Sequence, residues 1–293
     1  MACWHLGYDR AYGNIFFTAG DPNQRAENMK QPEPAVGNAA TLRATATRPG
    51  IMAKLVRLFR QRGLAGTLAH LHAVLLIRAH KILFDRRLDA LEQVKSDGYL
   101  PLDSLRIDSV NRPLDNADIH YLPTPLLVLR WVLDLLPHSY ESTTFADFGS
   151  GRGRVLLCAA QYPFAKVTGV EFAAELHEAA TINLAALDSA LIKCRLIENR
   201  LGDAADFPIP DGDAVLFFFN PFDARLMAHI RDRIAAAHRA NPRPITVVYV
   251  NPKKRQVFDE DPSFEPLALP LGAALKFAAL SPFQVALFHV VTR

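Results

Sequence analysis

A glycine-rich loop between a predicted strand and a predicted helix constrains this chain more than any other feature. Residues 145–157, FADFGSGRGRVLL, place Gly149, Gly151 and Gly153 directly after the strand and before the helix, with Asp147 two residues ahead of the first glycine. Glycine has no side chain, so such a loop can turn tightly and let a ligand lie against backbone N–H groups near a helix N-terminus. The alternative is a tight structural turn, and the residues at the other strand ends decide between the two.

Strands and helices alternate on both sides of this loop. Continuously apolar strands are predicted at 143–148, 165–172, 193–198, 213–219 and 245–250, and in the C-terminal segments AALKFAAL and FQVALFHVV. Helices are predicted at 126–136, where Thr124-Pro125 has a helix-starting signature, and at 152–161, 173–187 and 224–240. Continuous apolar strands are typical of a parallel sheet covered by helices on both faces. We predict an α/β fold with a doubly wound, mostly parallel seven-stranded sheet (Rossmann-like) and an N-terminal helical extension.

Charge is distributed unevenly along the chain. Residues 1–50 carry five Lys/Arg and four Asp/Glu, residues 51–87 carry eight and one, and residues 88–293 carry twenty and twenty-five. This distribution excludes a uniformly basic nucleic-acid binder and indicates one basic segment attached to a slightly acidic body. We predict a disordered tail at 1–50, because no helical or strand period persists there, and a basic helical extension with its connector at 51–117.

The basic helices of residues 51–87 have two interpretations. They are a docking surface for a membrane or a nucleic acid, or they pack on the main domain with their charges solvated, which we favour. Breaks at Gly63 and Gly66 divide them into two predicted helices.

Cysteine usage and the N-terminus indicate the compartment. Cys3, Cys158 and Cys194 are too scattered for a disulfide framework or a zinc-binding spacing, so we expect a reducing compartment and no metal. The N-terminus lacks the basic and apolar regions of a secretory signal. The longest uncharged apolar run of the basic segment, residues 63–77, is shorter than the roughly 20 residues that span a bilayer. We expect a cytoplasmic protein without a transmembrane helix.

Candidate ligand-binding residues follow the next three strands. Glu171 ends the second strand, where a carboxylate can accept hydrogen bonds from ribose hydroxyls. After the third strand, Asp203 can accept a hydrogen bond from an exocyclic amine, and Ala204 leaves room for a purine ring. Asn220-Pro221-Phe222 follows the fourth strand. Each of these residues also has a purely structural interpretation as a turn or helix-capping residue.

Arg154 counts against a nicotinamide-dependent oxidoreductase. The dinucleotide-binding fingerprint G-x-G-x-x-G requires glycine or alanine at this position, and no Tyr-x-x-x-Lys or other hydride-transfer constellation is evident. That enzyme class stays as the alternative. We expect Arg152 and Arg154 to be solvated or paired with carboxylates.

The ordered set of motifs over residues 118–293 resembles the class I S-adenosylmethionine-dependent methyltransferases. In that family the acidic-x-G-x-G-x-G loop holds the methionine part of the cofactor, the acid after the second strand holds the ribose, and the acid after the third strand holds the adenine amine. The segment 121–125, YLPTP, resembles the element that closes over the cofactor. The resemblance implies that S-adenosylmethionine is bound by Asp147, Gly149, Ser150, Gly151, Gly153, Glu171, Asp203, Ala204, Tyr121 and Thr124.

The loop Asn220-Pro221-Phe222 departs from the pattern of amino-methylating members, which often have two prolines before the aromatic residue. The asparagine oxygen and a nearby carbonyl can still accept hydrogen bonds from an amino group, while Phe222 packs on the substrate. We therefore predict a methyltransferase in which these three residues form the reacting centre, with an amino group of a protein side chain weakly favoured as acceptor. A non-catalytic, methyltransferase-like binding module is the alternative outside enzymes. Asn251-Pro252-Lys253-Lys254, after the fifth strand, is a further candidate substrate contact.

Overall fold

The computed structural model describes residues 4–9, 14–19, 51–85, 100–101, 120–136 and 139–292. These residues fall into two compact units, 1–72 and 73–293. No helix among the described residues has the length and apolar character needed to cross a membrane.

The first unit contains a strand pair within the predicted disordered tail. Strands β1 (Trp4–Asp9) and β2 (Asn14–Ala19) pair antiparallel, from Trp4 opposite Ala19 to Asp9 opposite Asn14. Aromatic residues in both segments, and the β-branched Ile15 and Thr18 of β2, favour such pairing. The other residues of the predicted tail, and those of the connector between residues 86 and 117 apart from Leu100 and Pro101, lie outside the described part of the chain.

Helix α1 (Ile51–His80) contains the predicted break at Gly63 but none at Gly66. Gly63 has φ 65° and ψ −175°, which interrupts the helical conformation. The Thr67 hydroxyl donates a hydrogen bond to the Gly63 carbonyl at 2.8 Å, so the chain returns to a helix directly after the break. A short π-helical turn, Lys81–Asp85, continues the chain after α1.

The second unit is built on a seven-stranded mixed sheet. The short strands β3 (Leu100–Pro101) and β4 (His120–Tyr121) form a separate antiparallel pair. The sheet consists of β5 (Thr144–Phe148), β6 (Lys166–Glu171), β7 (Ile197–Leu201), β8 (Ala214–Phe219), β9 (Ile245–Val250), β10 (Phe264–Pro266) and β11 (Val285–Val290). Their order is β10-β11-β9-β8-β5-β6-β7. Strands β5 to β9 pair parallel, whereas β11 is antiparallel to both its neighbours, so the predicted mostly parallel seven-stranded sheet is confirmed.

Helices cover both faces of this sheet. They are α2 (Leu126–Leu133), α3 (Arg154–Ala159), α4 (Ala174–Ala186), α5 (Ala224–Ala240), α6 (Gln256–Asp259) and α7 (Leu271–Leu280). Helix α3 contacts α2 and α4, whereas α5 contacts α6 and β11. The core beneath α5 is aromatic, with Phe148 stacked on Phe218 and Phe258 stacked on Phe288. Parallel strands that are buried on both faces consist of nearly continuous apolar residues. This pattern is why such strands could be predicted from the sequence.

Three predicted elements differ from the structure. The segment AALKFAAL, predicted as a strand, lies in α7, because alanine and leucine favour a helix and Pro270 precedes its first turn. The third strand begins at Ile197 rather than residue 193. The N-cap of α2 is Pro125, without a side-chain capping hydrogen bond, so Thr124 does not cap this helix.

Candidate functional site

The glycine loop connects β5 to α3 with a backbone that only glycine adopts easily. Gly149, Gly151 and Gly153 have φ of 90°, 55° and 77°, in the region that side chains disfavour. The N–H groups of Gly149 and Ser150 donate hydrogen bonds to the Val170 carbonyl at 3.0 and 2.9 Å. The loop is therefore held against the end of β6, and the predicted sequence of strand, loop and helix is confirmed.

Space as well as backbone conformation requires glycine at two of these positions. A Cβ atom at Gly149 would lie 3.0 Å from the Pro221 Cβ, and one at Gly153 would lie 3.0 Å from the Ala180 Cβ on α4. Both distances are shorter than ordinary van der Waals contact between carbons. Gly149 thus lets the loop after β8 approach the loop after β5.

Glu171 lies at the end of β6 with its carboxylate turned toward the glycine loop. It is 3% exposed, and its two oxygens accept hydrogen bonds from the N–H groups of Gly151 at 2.8 Å and Ala173 at 2.9 Å. Burial raises the pKa of Glu171 to about 7, against the lowering effect of these backbone hydrogen bonds. A carboxylate has about four acceptor positions, so Glu171 retains capacity for ligand hydroxyls.

Asp147 is the most unusual polar residue near the loop. It is 2% exposed in β5, and its Oδ2 has no hydrogen-bond partner among the described residues. Burial, followed by the negative charge of Glu171, holds the pKa of Asp147 well above its usual range. A buried carboxyl group without a partner is costly, and a ligand that brings a positively charged donor would remove this cost.

Ser150 depends on a glycine that the sequence analysis did not single out. Its hydroxyl donates to Asn199 Oδ1 on β7 at 3.4 Å. A Cβ atom at Gly169 in β6 would lie only 2.8 Å from the Ser150 Cβ, so this strand position admits no side chain. An isolated glycine within an apolar strand is the signal that could have identified Gly169 as a point of close approach.

Asp203 and Ala204 form a turn directly after β7. The Asp203 side chain accepts a hydrogen bond from the Ala205 N–H at 2.9 Å, and its carbonyl accepts one from the Asp206 N–H at 3.1 Å. Ala204 is buried, with 5% exposure. The Gly202 N–H donates to the Glu171 carbonyl at 3.0 Å, which ties this turn to the end of β6.

The loop Asn220-Pro221-Phe222 follows β8 and lies against the glycine loop. Asn220 has φ 42°, a left-handed conformation that asparagine tolerates better than most residues. Phe222 is 7% exposed, and its ring lies 3.8 Å from the position of a Cβ atom at Gly149. Asp223 caps α5 by accepting a hydrogen bond from the Leu226 N–H at 2.8 Å.

A buried tyrosine connects this loop to the next one. The Tyr249 hydroxyl donates to Asn220 Oδ1 at 3.3 Å and accepts a hydrogen bond from the Lys254 N–H, also at 3.3 Å. Burial raises the pKa of Tyr249, so its hydroxyl stays a donor. Asn251, which begins the second Asn-Pro loop, also has a positive φ of 52°. Tyr249 is not recognisable as a site residue from the sequence, because within ITVVYV it is indistinguishable from a core residue.

Arg154 holds the segment 121–125 next to the start of α3. It is 3% exposed, and its Nε donates a hydrogen bond to the Thr124 carbonyl at 3.0 Å. The expectation that Arg154 is solvated is therefore wrong, because its charge is buried and bonded to backbone. Thr124 is buried as well, whereas the side chain of Tyr121 lies outside the described side chains.

A narrow cleft lies at the carboxyl ends of β5 to β8. It is lined by Gly149, Val170, Phe172, Gly202, Asp203, Ala204, Pro221, Phe222, Asp223 and Leu226. Five of the predicted site residues thus meet at one cleft, whereas Asp147, Glu171 and Asn220 are not among the residues that line it. The space in the cleft that can hold the centre of a water-sized sphere is about 10 Å³, which is room for about one water molecule. The described residues contain no group of three or more His, Cys, Asp or Glu residues suited to hold a metal ion.

The sequence matches no protein-family model. No curated protein matches it with significance. Among solved structures, an RNA methyltransferase from Salinibacter ruber in complex with S-adenosyl-L-homocysteine is 18% identical, with a TM-score of 0.40, and the match covers 59% of this chain and 95% of that one. A geranyl diphosphate methyltransferase in complex with sinefungin is 17% identical, with a TM-score of 0.37 and coverage of 57% and 77%. A methyltransferase from Geobacter sulfurreducens is 16% identical, with a TM-score of 0.40 and coverage of 59% and 80%. Structural similarity at these identities and TM-scores does not assign a function to this chain.

Proposed function

We propose that this chain is an S-adenosylmethionine-dependent methyltransferase. The observation that carries the proposal is the convergence of the glycine loop, Glu171, Asp203 and Asn220 at the carboxyl ends of four adjacent parallel strands. Open α/β sheets bind ligands at this edge, beside the point where the strand order reverses. Here β5 is that point, because its neighbours β6 and β8 continue the sheet in opposite directions.

The residues present fit this cofactor. The unpartnered Asp147 Oδ2 would accept a hydrogen bond from the ammonium of the methionine part, which supplies the missing donor and a compensating charge. Glu171 would accept from the ribose hydroxyls through its remaining lone pairs. Asp203 would accept a hydrogen bond from the adenine amine, with Ala204 beside the ring.

The reacting centre in this proposal is the loop Asn220-Pro221-Phe222. When bound, S-adenosylmethionine supplies a methyl group on a sulfonium, whose sulfur leaves as a neutral thioether without acid catalysis. Asn220 Oδ1 would accept a hydrogen bond from the acceptor and orient its lone pair, while Phe222 and Pro221 exclude water. Positioning and charge accommodation therefore suffice, and no acid–base pair is required.

The structure offers less to a nicotinamide cofactor. The third glycine of the dinucleotide fingerprint permits close packing of the helix on the strand, and the corresponding position 154 holds a buried arginine bonded to the Thr124 carbonyl. The methyl acceptor is a separate matter. An amino group, suggested by the asparagine of the loop, and a protein side chain as its carrier both stay predictions from the sequence.

Isothermal titration of the full chain with S-adenosylmethionine and S-adenosylhomocysteine tests the cofactor. We expect both to bind, and we expect Asp147→Asn and Asp203→Asn each to weaken binding about tenfold or more through loss of a charge-assisted hydrogen bond. Asp206→Asn is the matched control, because it is exposed and lies on the same turn as Asp203. Absence of binding by the wild-type chain, with NADH binding instead, would overturn the proposal.

Transfer of a labelled methyl group into cell extract tests the reaction and identifies the acceptor class. The extract is fractionated into protein, nucleic acid and small molecules after incubation with the chain. We expect label in one fraction, reduced at least about tenfold by Asn220→Gly. Glycine retains the positive φ of residue 220 while removing the amide, so cofactor affinity should stay unchanged. Cofactor binding without transfer to any fraction would favour the binding module.

A further inference from the structure

Two apolar segments of the second unit lie side by side. They are residues 73–83, which comprise the end of α1 and the start of the following turn, and helix α7, residues 271–280. His80 Nε2 is 2.7 Å from the Leu280 carbonyl, which joins the two segments directly. The Trp131 ring packs edge-on against both His80 and Phe277, at 6.1 and 5.7 Å between ring centroids.

Large apolar side chains on these segments face solvent. Their exposed fractions range from 49% to 76%. They are Leu75, Ile82, Leu83, Leu271, Leu275 and Leu280, which we call the apolar patch. Single exposed leucines are ordinary, but six on two adjoining segments form a surface of the kind that marks an interaction site.

Helix α7 is exposed to solvent although nearly all of its residues are apolar. Its sequence LGAALKFAAL contains one charged residue, Lys276, and only Phe277 among its ten residues is buried. A helix that is apolar on every side is expected inside a protein core or within an apolar environment. Helix α7 therefore has an apolar surface that the described residues of the second unit leave exposed to solvent.

Three cations lie on the two segments that carry the apolar patch, and acids are absent from both segments. Residues 73–83 and 271–280 contain no Asp or Glu. Arg78 and Lys81 are exposed on the first segment. Lys276 is exposed on α7, with its Nζ 4.1 Å from the Trp131 ring centroid. A partner that complements this surface must combine an apolar layer with negative charge.

We propose that the apolar patch and its cations bind the surface of an anionic phospholipid bilayer. Leucine and isoleucine side chains would enter the boundary between headgroups and acyl chains, while Arg78, Lys81 and Lys276 would approach the lipid phosphates. A second copy of this chain fits less well, because it would bring like charges together without any acid from these segments. The inference goes beyond the proposed methyltransferase function and does not depend on it.

Co-sedimentation of the full chain with lipid vesicles tests this inference. We expect binding to vesicles of phosphatidylcholine with phosphatidylserine, weaker binding to phosphatidylcholine alone, and weakening by added salt. The pair Leu271→Ser and Leu275→Ser should lower the partition coefficient about a hundredfold, at about tenfold for each leucine. Arg78→Gln should lower it about fivefold, and only on anionic vesicles.

The control pair is Ile182→Ser and Leu196→Ser, which removes two exposed apolar side chains outside the apolar patch. It should leave vesicle binding unchanged, and thermal unfolding should show that all variants fold. Vesicle binding that the control pair lowers as much as the patch pair would overturn the proposal. So would absence of binding by the wild-type chain, or a concentration-dependent dimer that the patch pair abolishes without any effect of vesicles.

Discussion

The two sides of the cleft are built from different chemistry. The ends of β5, β6 and β7 bring three carboxyl groups, Asp147, Glu171 and Asp203, around the glycine loop. The end of β8 brings an uncharged loop, and the one nearby acid, Asp223, is used to cap α5. The two sides meet at Gly149, where only the absence of a side chain permits the approach of Pro221.

This difference indicates a division of roles. Buried carboxyl groups with raised pKa values are costly and are retained where a ligand compensates them, which suits a polar, positively charged cofactor. An uncharged loop next to them can orient a neutral acceptor without an added charge at the reacting atoms. The same cleft can therefore separate cofactor binding from acceptor positioning, and substitutions on each side should have different effects.

The largest effect is expected at the junction of the two sides. Gly149→Val should lower the free energy of unfolding by about 4 kcal/mol, through the disfavoured positive φ and through contact with Pro221, and should abolish cofactor binding. Urea unfolding and titration calorimetry measure the two effects. Gly212→Val is the control, because no atom lies within 4 Å of a Cβ at that position. Equal losses of stability and of cofactor affinity in both variants would contradict the role of Gly149 at the junction of the two sides.

On the carboxylate side, stability should depend on pH through Glu171. Its pKa is raised from 4.5 to about 7 in the folded chain, so the folded state binds a proton more tightly than the unfolded state. The resulting stabilisation is complete below pH 4.5 and is lost as the pH rises through 7, a change of about 3 kcal/mol. Glu171→Gln should remove the contribution of Glu171 in urea unfolding across that range and leave that of Asp147, whose pKa is also raised. The exposed Glu178→Gln should leave it intact, and parallel curves for wild type and Glu171→Gln would contradict the expectation.

The smallest effect is expected on the uncharged side. Tyr249→Phe removes the hydroxyl that connects Asn220 to Lys254, so the free energy of unfolding should fall by about 1 kcal/mol. Methyl transfer should fall about fivefold, while the affinity for S-adenosylmethionine stays unchanged. Tyr162→Phe removes a comparable hydroxyl that donates to Asp134, and it should leave transfer intact. A loss of cofactor affinity in Tyr249→Phe would remove the distinction between the two sides.

Residues whose role depends on residue type and on near neighbours in the chain were predictable from the sequence, and residues that act through distant partners were not. The positive φ of Gly149 and the cap formed by Asp223 follow from residue type and local spacing. Arg154 bonds a carbonyl thirty residues away, and Tyr249 bonds an asparagine twenty-nine residues away. Neither partner can be identified from a single sequence, because contacts of this kind depend on how the strands are ordered.

The sequence by itself determined the alternation of strands and helices, the glycine loop and the acidic residues after the strands, because apolar period and glycine are local signals. The tertiary structure decided that these strand ends meet at one cleft, that Asp147 is buried without a partner, and that the helix after β10 lies exposed beside the end of α1. Burial is the physical reason. It is a property of packing, and packing determines which carboxyl groups lose water and which leucines retain contact with it.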